Sequence, residues 1–316
     1  MRCLFIFYHC LVGGYKGLFA ATFLEELEED IGHPLAQKFD LLAGTSIGGI
    51  MVLALALEIS TREIKQFFLE KGKQIFSPRM NILGGFSLYH NKDLKNALFE
   101  LFGGKKICDL RHRIIIPMIN YTTGMPQIIK TRHHERFVKD HRWSLVDVAL
   151  ATSAAPFYFP IYRKHNGDFL DGGLVANNPG LFACIEALKY LDRKLEDIYQ
   201  LHIGTLLSKV TSTCNRRGFG INLKRLISLI LSCQEQSSGQ IIELLLGDRY
   251  YSVDTSVAPN QEKLIKLDKT SSATEKILVQ WAHSEGQKFS GSNFHSTIKA
   301  HNALPFEPIL LEQGAL

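Results

Sequence analysis

The sequence predicts an α/β protein: a mainly parallel sheet with helices on both faces. Two observations carry this. Short apolar runs alternate with longer helical stretches over the first two hundred of the 316 residues, the order of strand–helix–strand units. Two of the junctions are glycine-rich, Val12-Gly13-Gly14-Tyr15-Lys16-Gly17 and Gly44-Thr45-Ser46-Ile47-Gly48. Size and composition agree, since a chain this long buries a large core and 46% hydrophobic residues is ordinary for a globular enzyme.

Taken in order, the apolar run of strand 3–8 leads through the first glycine loop to helix 18–30. Strand 39–43 leads through the second to helix 47–58, apolar enough to be a core helix. Thr61 is the expected cap of helix 62–74. Gly84-Gly85 opens a loop whose Phe86, Leu88 and Tyr89 either touch lipid or pack. Asn91 precedes helix 92–102, and strands follow at 113–120 and 127–131. Ser144 caps helix 144–152; strand 169–170 carries Asp171; Pro179 begins helix 180–191; strand 199–204 follows.

Beyond residue 207 the character changes. Residues 208–220 are polar and include Arg216 and Arg217. Residues 221–246 form a long helical pattern with a break expected near Gln234–Gly239. It reads as a core helix, an oligomer interface or a lipid-contacting lid. A strand at 249–257, a helix at 273–288 centred on Trp281 and a polar tail from Gly291 complete the chain. The expected organisation is a catalytic core over 1–207 and a helical extension over 208–316 packed on it as one continuous domain.

The chemistry lies in three motifs. Gly44-Thr45-Ser46-Ile47-Gly48, with a strand before and a helix after, puts a serine hydroxyl on a sharp bend at a helix mouth. Gly44 and Gly48 remove side chains that would clash there, and the helix N-terminus favours developing negative charge. Asp171-Gly172-Gly173 places a carboxylate at a strand end where another backbone can approach. Read blandly, the same three residues are a turn. The first loop lets consecutive amides of Gly13 and Gly14 converge on one spot, an anion cradle. It holds no complete dinucleotide-binding or Walker pattern.

In this order and with these flanks, the motifs resemble the patatin-like phospholipases. The resemblance covers roughly the first two hundred residues and includes Ala151-Thr152-Ser153-Ala154-Ala155-Pro156 and Asn177-Asn178-Pro179. It implies a patatin-like three-layer fold, Ser46 as nucleophile, Asp171 as base and the backbone of Gly13 and Gly14 as oxyanion hole. Lys16 and Gly17 support the loop. Lys16 stands where the family usually has arginine, which keeps the charge but loses the planar fork, and Val12 replaces a glycine. A dyad of this kind needs no cofactor and no metal. The stretches 39–50 and 13–18 are further similar to bacterial patatin-like effectors activated by cyclic dinucleotides in antiphage defence. The expected partners are membrane phospholipid as substrate, a cyclic dinucleotide as activator and another copy of the chain, with no nucleic-acid polymer.

Charge and cysteine usage fit. The net charge of +5 is modest, with basic clusters at Lys105-Lys106, Arg111 and Arg113, 132–136, Arg216-Arg217 and Lys224-Arg225. Such clusters suit phospholipid headgroups or a nucleotide, or are simply a solvated face. Six cysteines form no Cys-x-x-Cys pair and read as a reducing compartment; twelve histidines give no metal signature, and His133-His134 reads as solvated. The apolar N-terminus is read as a buried first strand rather than a signal peptide. No run approaches the ~20 apolar residues of a membrane span, so the expected location is the cytoplasm, acting at the membrane surface. Two other readings stay open: an esterase whose His202 completes a Ser…Asp…His order, and a lipid-binding protein without catalysis.

Overall fold

The computed structural model describes residues 5–12, 14–77, 87–164, 167–204, 206, 223–255, 257, 265 and 268–309. An eight-stranded mixed sheet lies between two helical layers. Strand β1 (Phe5–Val12) leads to helix α1 (Gly17–Ile31), β2 (Leu41–Ser46) to α2 (Ile47–Ala56), then α3 (Thr61–Ile75) and α4 (Asn91–Phe102). β3 (Ile114–Asn120), β4 (Met125–Lys130), α5 (Leu145–Thr152), β5 (Tyr162–Lys164) and β6 (Gly167–Asp171) follow. Next come α6 (Gly173–Ala176), α7 (Gly180–Tyr190) and β7 (Ile198–Ile203), then α8 (Leu223–Leu246), β8 (Tyr250–Val253), α9 (Ser272–Ser290) and α10 (Asn293–Ala300). Among the described residues no helix is long and apolar enough to cross a membrane.

The strand order is β5-β6-β3-β2-β1-β7-β8, with β4 also paired to β3. β1, β2, β3, β7 and β8 run parallel; β4, β5 and β6 are antiparallel additions. β4 covers one edge of β3 along Ile115–Asn120. β2 and β6 therefore share the other edge: β2 pairs Ile114 and Ile115, and β6 pairs Met118 to Asn120. The C-terminal ends of β2 and β6 thus converge beside Pro117. Helix α2 is buried at every position, as expected of a core helix. One core cluster joins α1, α2, α4, α5 and α9 on one face, and a second joins α7 and α8 on the other.

Several expectations are corrected. β1 runs on to Val12, because pairing to β2 and β7 satisfies its backbone on both edges whatever His9 does to the apolar pattern. Ser60 rather than Thr61 caps α3: its hydroxyl accepts the Glu63 amide while Glu63 takes the Ser60 amide, a capping box. Helix α4 begins at Asn91 itself, one residue earlier than expected. Helix α8 is unbroken through Gln234–Gly239. Gln234 spends its polar atoms on the α6 segment, and Glu235 is buried. The polar tail contains α10, which buries Phe294, His295 and Ile298 and is capped by Ser292.

Other polar groups turn out to be structural. His133 is buried and shares the Glu186 carboxylate with Lys130, so the solvated reading fails there. Arg113 donates to the carbonyls of Leu304 and Pro305, and Arg111 pairs with Glu58. Tyr89 is buried and Leu88 half-buried, their backbone amides donating hydrogen bonds to the carbonyls of Tyr158 and Phe157. Those two residues pack rather than meet lipid. Cys184 is buried, with its thiol pushed up to about 12 by burial, whereas Cys108 and Cys233 are exposed. Gly13, Phe86, Arg216 and Arg217 lie outside the described residues.

Candidate active site

Ser46 closes β2 and opens α2 with φ 56° and ψ −126°. A serine there is strained, and strain of this kind marks functional bends. The bend requires glycine at Gly44, where an added Cβ would lie 2.3 Å from the carbonyl oxygen of Gly48. The Ser46 amide is held by the Thr152 hydroxyl at 3.1 Å, which donates in turn to the Pro117 carbonyl at 2.7 Å. Thr45 donates to the Ala176 carbonyl at 2.7 Å, fixing the elbow to the segment after Asp171.

Asp171 reaches the same point from β6. Its Oδ2 accepts the Ser46 hydroxyl at 2.7 Å, and its Oδ1 accepts the Gly173 amide at 2.7 Å. Gly172 packs so closely that a Cβ would lie 2.1 Å from the Pro117 carbonyl oxygen. At Gly173 a Cβ would crowd the Asp171 carboxylate at 3.0 Å. Burial pushes the Asp171 carboxyl up to about 6, against the Ser46 and Gly173 hydrogen bonds that favour its charge. The group remains mostly ionised at neutral pH and close enough to neutrality to exchange a proton.

The glycine loop sits alongside. Val12 pairs with Ser46 in the parallel register, so the turn that follows β1 lies next to the serine. Gly14 has φ 62°, a left-handed conformation suited to glycine, and opens a short 3-10 turn to Lys16. Gly17 admits no side chain: a Cβ would lie 2.6 Å from Phe68 and 2.9 Å from Ile47. The N-terminus of α2 adds its partial positive charge at Ser46.

The structure does not bring His202 to this point. It lies on β7 in register with His9, itself paired with Ala43. That places it about 10 Å across the sheet from Ala43 at ordinary strand spacing, on the side away from β3. Burial pushes its imidazole down to about 3. Thr152, within the Ala151–Pro156 run, is a site residue whose part shows only in the fold, where its hydroxyl meets the Ser46 amide and the Pro117 carbonyl. Among the described residues no group of three or more His, Cys, Asp or Glu is placed to hold a metal ion.

Strain at the elbow, a carboxylate on the serine hydroxyl and the glycine turn next to Ser46 are the arrangement of a serine ester hydrolase. The sequence model of the patatin-like phospholipases matches residues 13–183, and the chain belongs to that family. Three relatives named cGAMP-activated phospholipase align with most of the chain. One from Pseudomonas aeruginosa is 42% identical over 94% of this chain and 93% of its own length. One from Escherichia coli is 33% identical over 92% and 90%. One from Vibrio cholerae is 32% identical over 83% and 84%.

Proposed function

We propose that Ser46 and Asp171 act as a dyad that hydrolyses carboxylic ester bonds of membrane phospholipids, and that a cyclic dinucleotide activates the protein in defence against phage. The carrying observation is the direct 2.7 Å contact between the serine hydroxyl and the carboxylate. Oδ2 takes the hydroxyl proton as Oγ bonds to the ester carbonyl carbon, and the carbonyl electron pair moves onto oxygen. The Gly13 and Gly14 amides and the α2 N-terminus stabilise that oxyanion. Collapse expels the alkoxide of the lysophospholipid, which recovers the proton from Asp171 and leaves an acyl ester on Ser46. A water molecule then gives its proton to Asp171, attacks the acyl carbon and releases the fatty acid, and Ser46 regains its proton. The reaction takes place at the membrane surface, where the substrate is.

Activation is supported by the relatives named cGAMP-activated phospholipase, which align through the C-terminal residues as well as the catalytic motifs. The basic segment with Arg216 and Arg217 is the proposed ligand contact, with residues 208–316 as the part that responds. A ligand shifts the resting population only by its difference in affinity between two states. The test is hydrolysis of a fluorescent phospholipid with and without cGAMP, with sedimentation alongside. Hydrolysis that rises with cGAMP in wild type, and is absent from Ser46→Ala, supports the reading. Full activity without ligand and no response to a panel of cyclic dinucleotides leaves a constitutive lipase.

A further inference from the structure

Helix α8 reaches both halves of the catalytic machinery through two neighbouring residues, by hydrogen bonds at Gln234 and by charge at Glu235. Gln234 accepts the Asn177 amide at 2.6 Å and donates to the Val175 carbonyl at 2.5 Å. These groups belong to the segment directly after Asp171-Gly172-Gly173. Glu235, the next residue, is buried, and its charge and that of Asp254 favour the ammonium of Lys16 in the glycine loop. Lys16 is itself only 8% exposed, and its ammonium donates to the Leu206 carbonyl at 3.2 Å.

The surroundings of Lys16 are closely packed. Leu206 is fully buried and held at φ 61°, which a leucine adopts only when its neighbours impose it. The Asp254 carboxyl lies against Gly204, where a Cβ would approach it to 2.7 Å. Leu206, Glu235 and Asp254 all belong to the chain beyond β7. The loop end cannot slide, because Gly17 is wedged between Phe68 and Ile47. A buried ammonium needs these carboxylates and this carbonyl, since an unpaired charge in the interior is costly. Lys16 thus points into the C-terminal part of the fold.

We infer that Gln234 and Glu235 of α8 are positioning residues that hold the Asp171 segment and, through Lys16, the glycine loop in mutual register, so that the seat of α8 sets catalytic competence. This rests on the dyad reading given above. A displacement of α8 would disturb the base and the oxyanion loop together, which is how an event in residues 208–316 reaches the site.

The test is a double-mutant cycle on Lys16→Met and Glu235→Gln, with Gln234→Ala as the other arm. Steady-state hydrolysis and the rate of Ser46 labelling by a fluorophosphonate are read beside melting temperature. Glu235→Gln and Gln234→Ala should each lower kcat about tenfold with KM within about twofold, and labelling should slow in parallel. The double variant of Lys16 and Glu235 should lose no more than Lys16→Met alone. Unchanged kcat with only a lower melting temperature overturns the inference, as does a cycle whose losses multiply fully. If Lys16→Met does not fold, Glu235→Gln and Gln234→Ala decide it on the same readouts. Ser46→Ala is run in parallel: activity retained there sinks the dyad reading, whereas activity lost there with unaffected α8 variants sinks this inference alone.

Discussion

Thr152 holds Ser46 by its backbone: the threonine hydroxyl accepts the Ser46 amide at 3.1 Å while donating to the Pro117 carbonyl at 2.7 Å. One hydroxyl satisfies a donor and an acceptor at a strained bend. Thr152→Val keeps the shape and removes both bonds. Leaving buried groups unpaired costs about 1–3 kcal/mol, so Thr152→Val should melt lower than wild type and lose kcat, and Thr152→Ser should stay near wild type. Equal behaviour of the valine and serine variants would show that the hydroxyl is idle.

Gly172 offers a sharper test of position. An alanine methyl would lie 2.1 Å from the Pro117 carbonyl oxygen, a backbone atom that cannot swing aside. The strand end must shift and carry Asp171 with it. A displacement near 1 Å costs about a hundredfold in rate, and Gly172→Ala should lose that much in kcat/KM for a short-chain ester. Wild-type activity would mean that the carboxylate is not held by this contact.

Asp171 ties activity to stability. Its carboxyl is raised from 3.8 to about 6 by burial. The native state therefore binds more protons than the unfolded state between those values. The stabilising contribution is complete below the unfolded pKa and is lost as pH rises through about 6. Asp171→Asn should consequently melt higher than wild type at pH ~8, being more stable by up to about 3 kcal/mol, and the difference should shrink to well under ~1 kcal/mol at pH ~4. In wild type, kcat/KM should fall below pH ~6 as one proton binds the base. An asparagine variant less stable than wild type at the higher pH would contradict the burial argument.

The proposed chemistry uses a serine, a carboxylate and amides alone. Activity should survive excess EDTA, measured as initial rate on a phospholipid substrate. Loss on chelation with recovery on adding calcium would contradict the mechanism.

The fold class was legible because glycine junctions and apolar runs recur at strand-to-helix boundaries. Ser46 and Asp171 were legible because backbone crowding leaves no alternative to Gly44 and Gly172 beside them. What stayed hidden depended on contacts distant in sequence. Gln234 and Glu235 looked like a helix break because nothing local shows the Val175 carbonyl that meets Gln234 or the fold that buries Glu235. His133 looked solvated until the fold brought Glu186 to it. The Ser60–Glu63 box was readable as Ser-x-x-Glu, but the adjacent Thr61 hydroxyl competed as a cap; it bonds Glu28 instead. Helix α10 was masked by its polar composition, although Phe294 and Ile298 sit four residues apart and are both buried.

The central claim is that Asp171 acts on Ser46 directly, with no histidine between them. The measurement is kcat/KM on one phospholipid for Ser46→Ala, Asp171→Asn and His202→Ala, each checked for folding by melting. Residues that act as one unit lose about the same rate singly as together. The account predicts that the Ser46 and Asp171 variants both fall below about a tenth of wild type, by similar factors, while His202→Ala stays within about threefold. An inactive His202 variant beside an active Asp171 variant would contradict it.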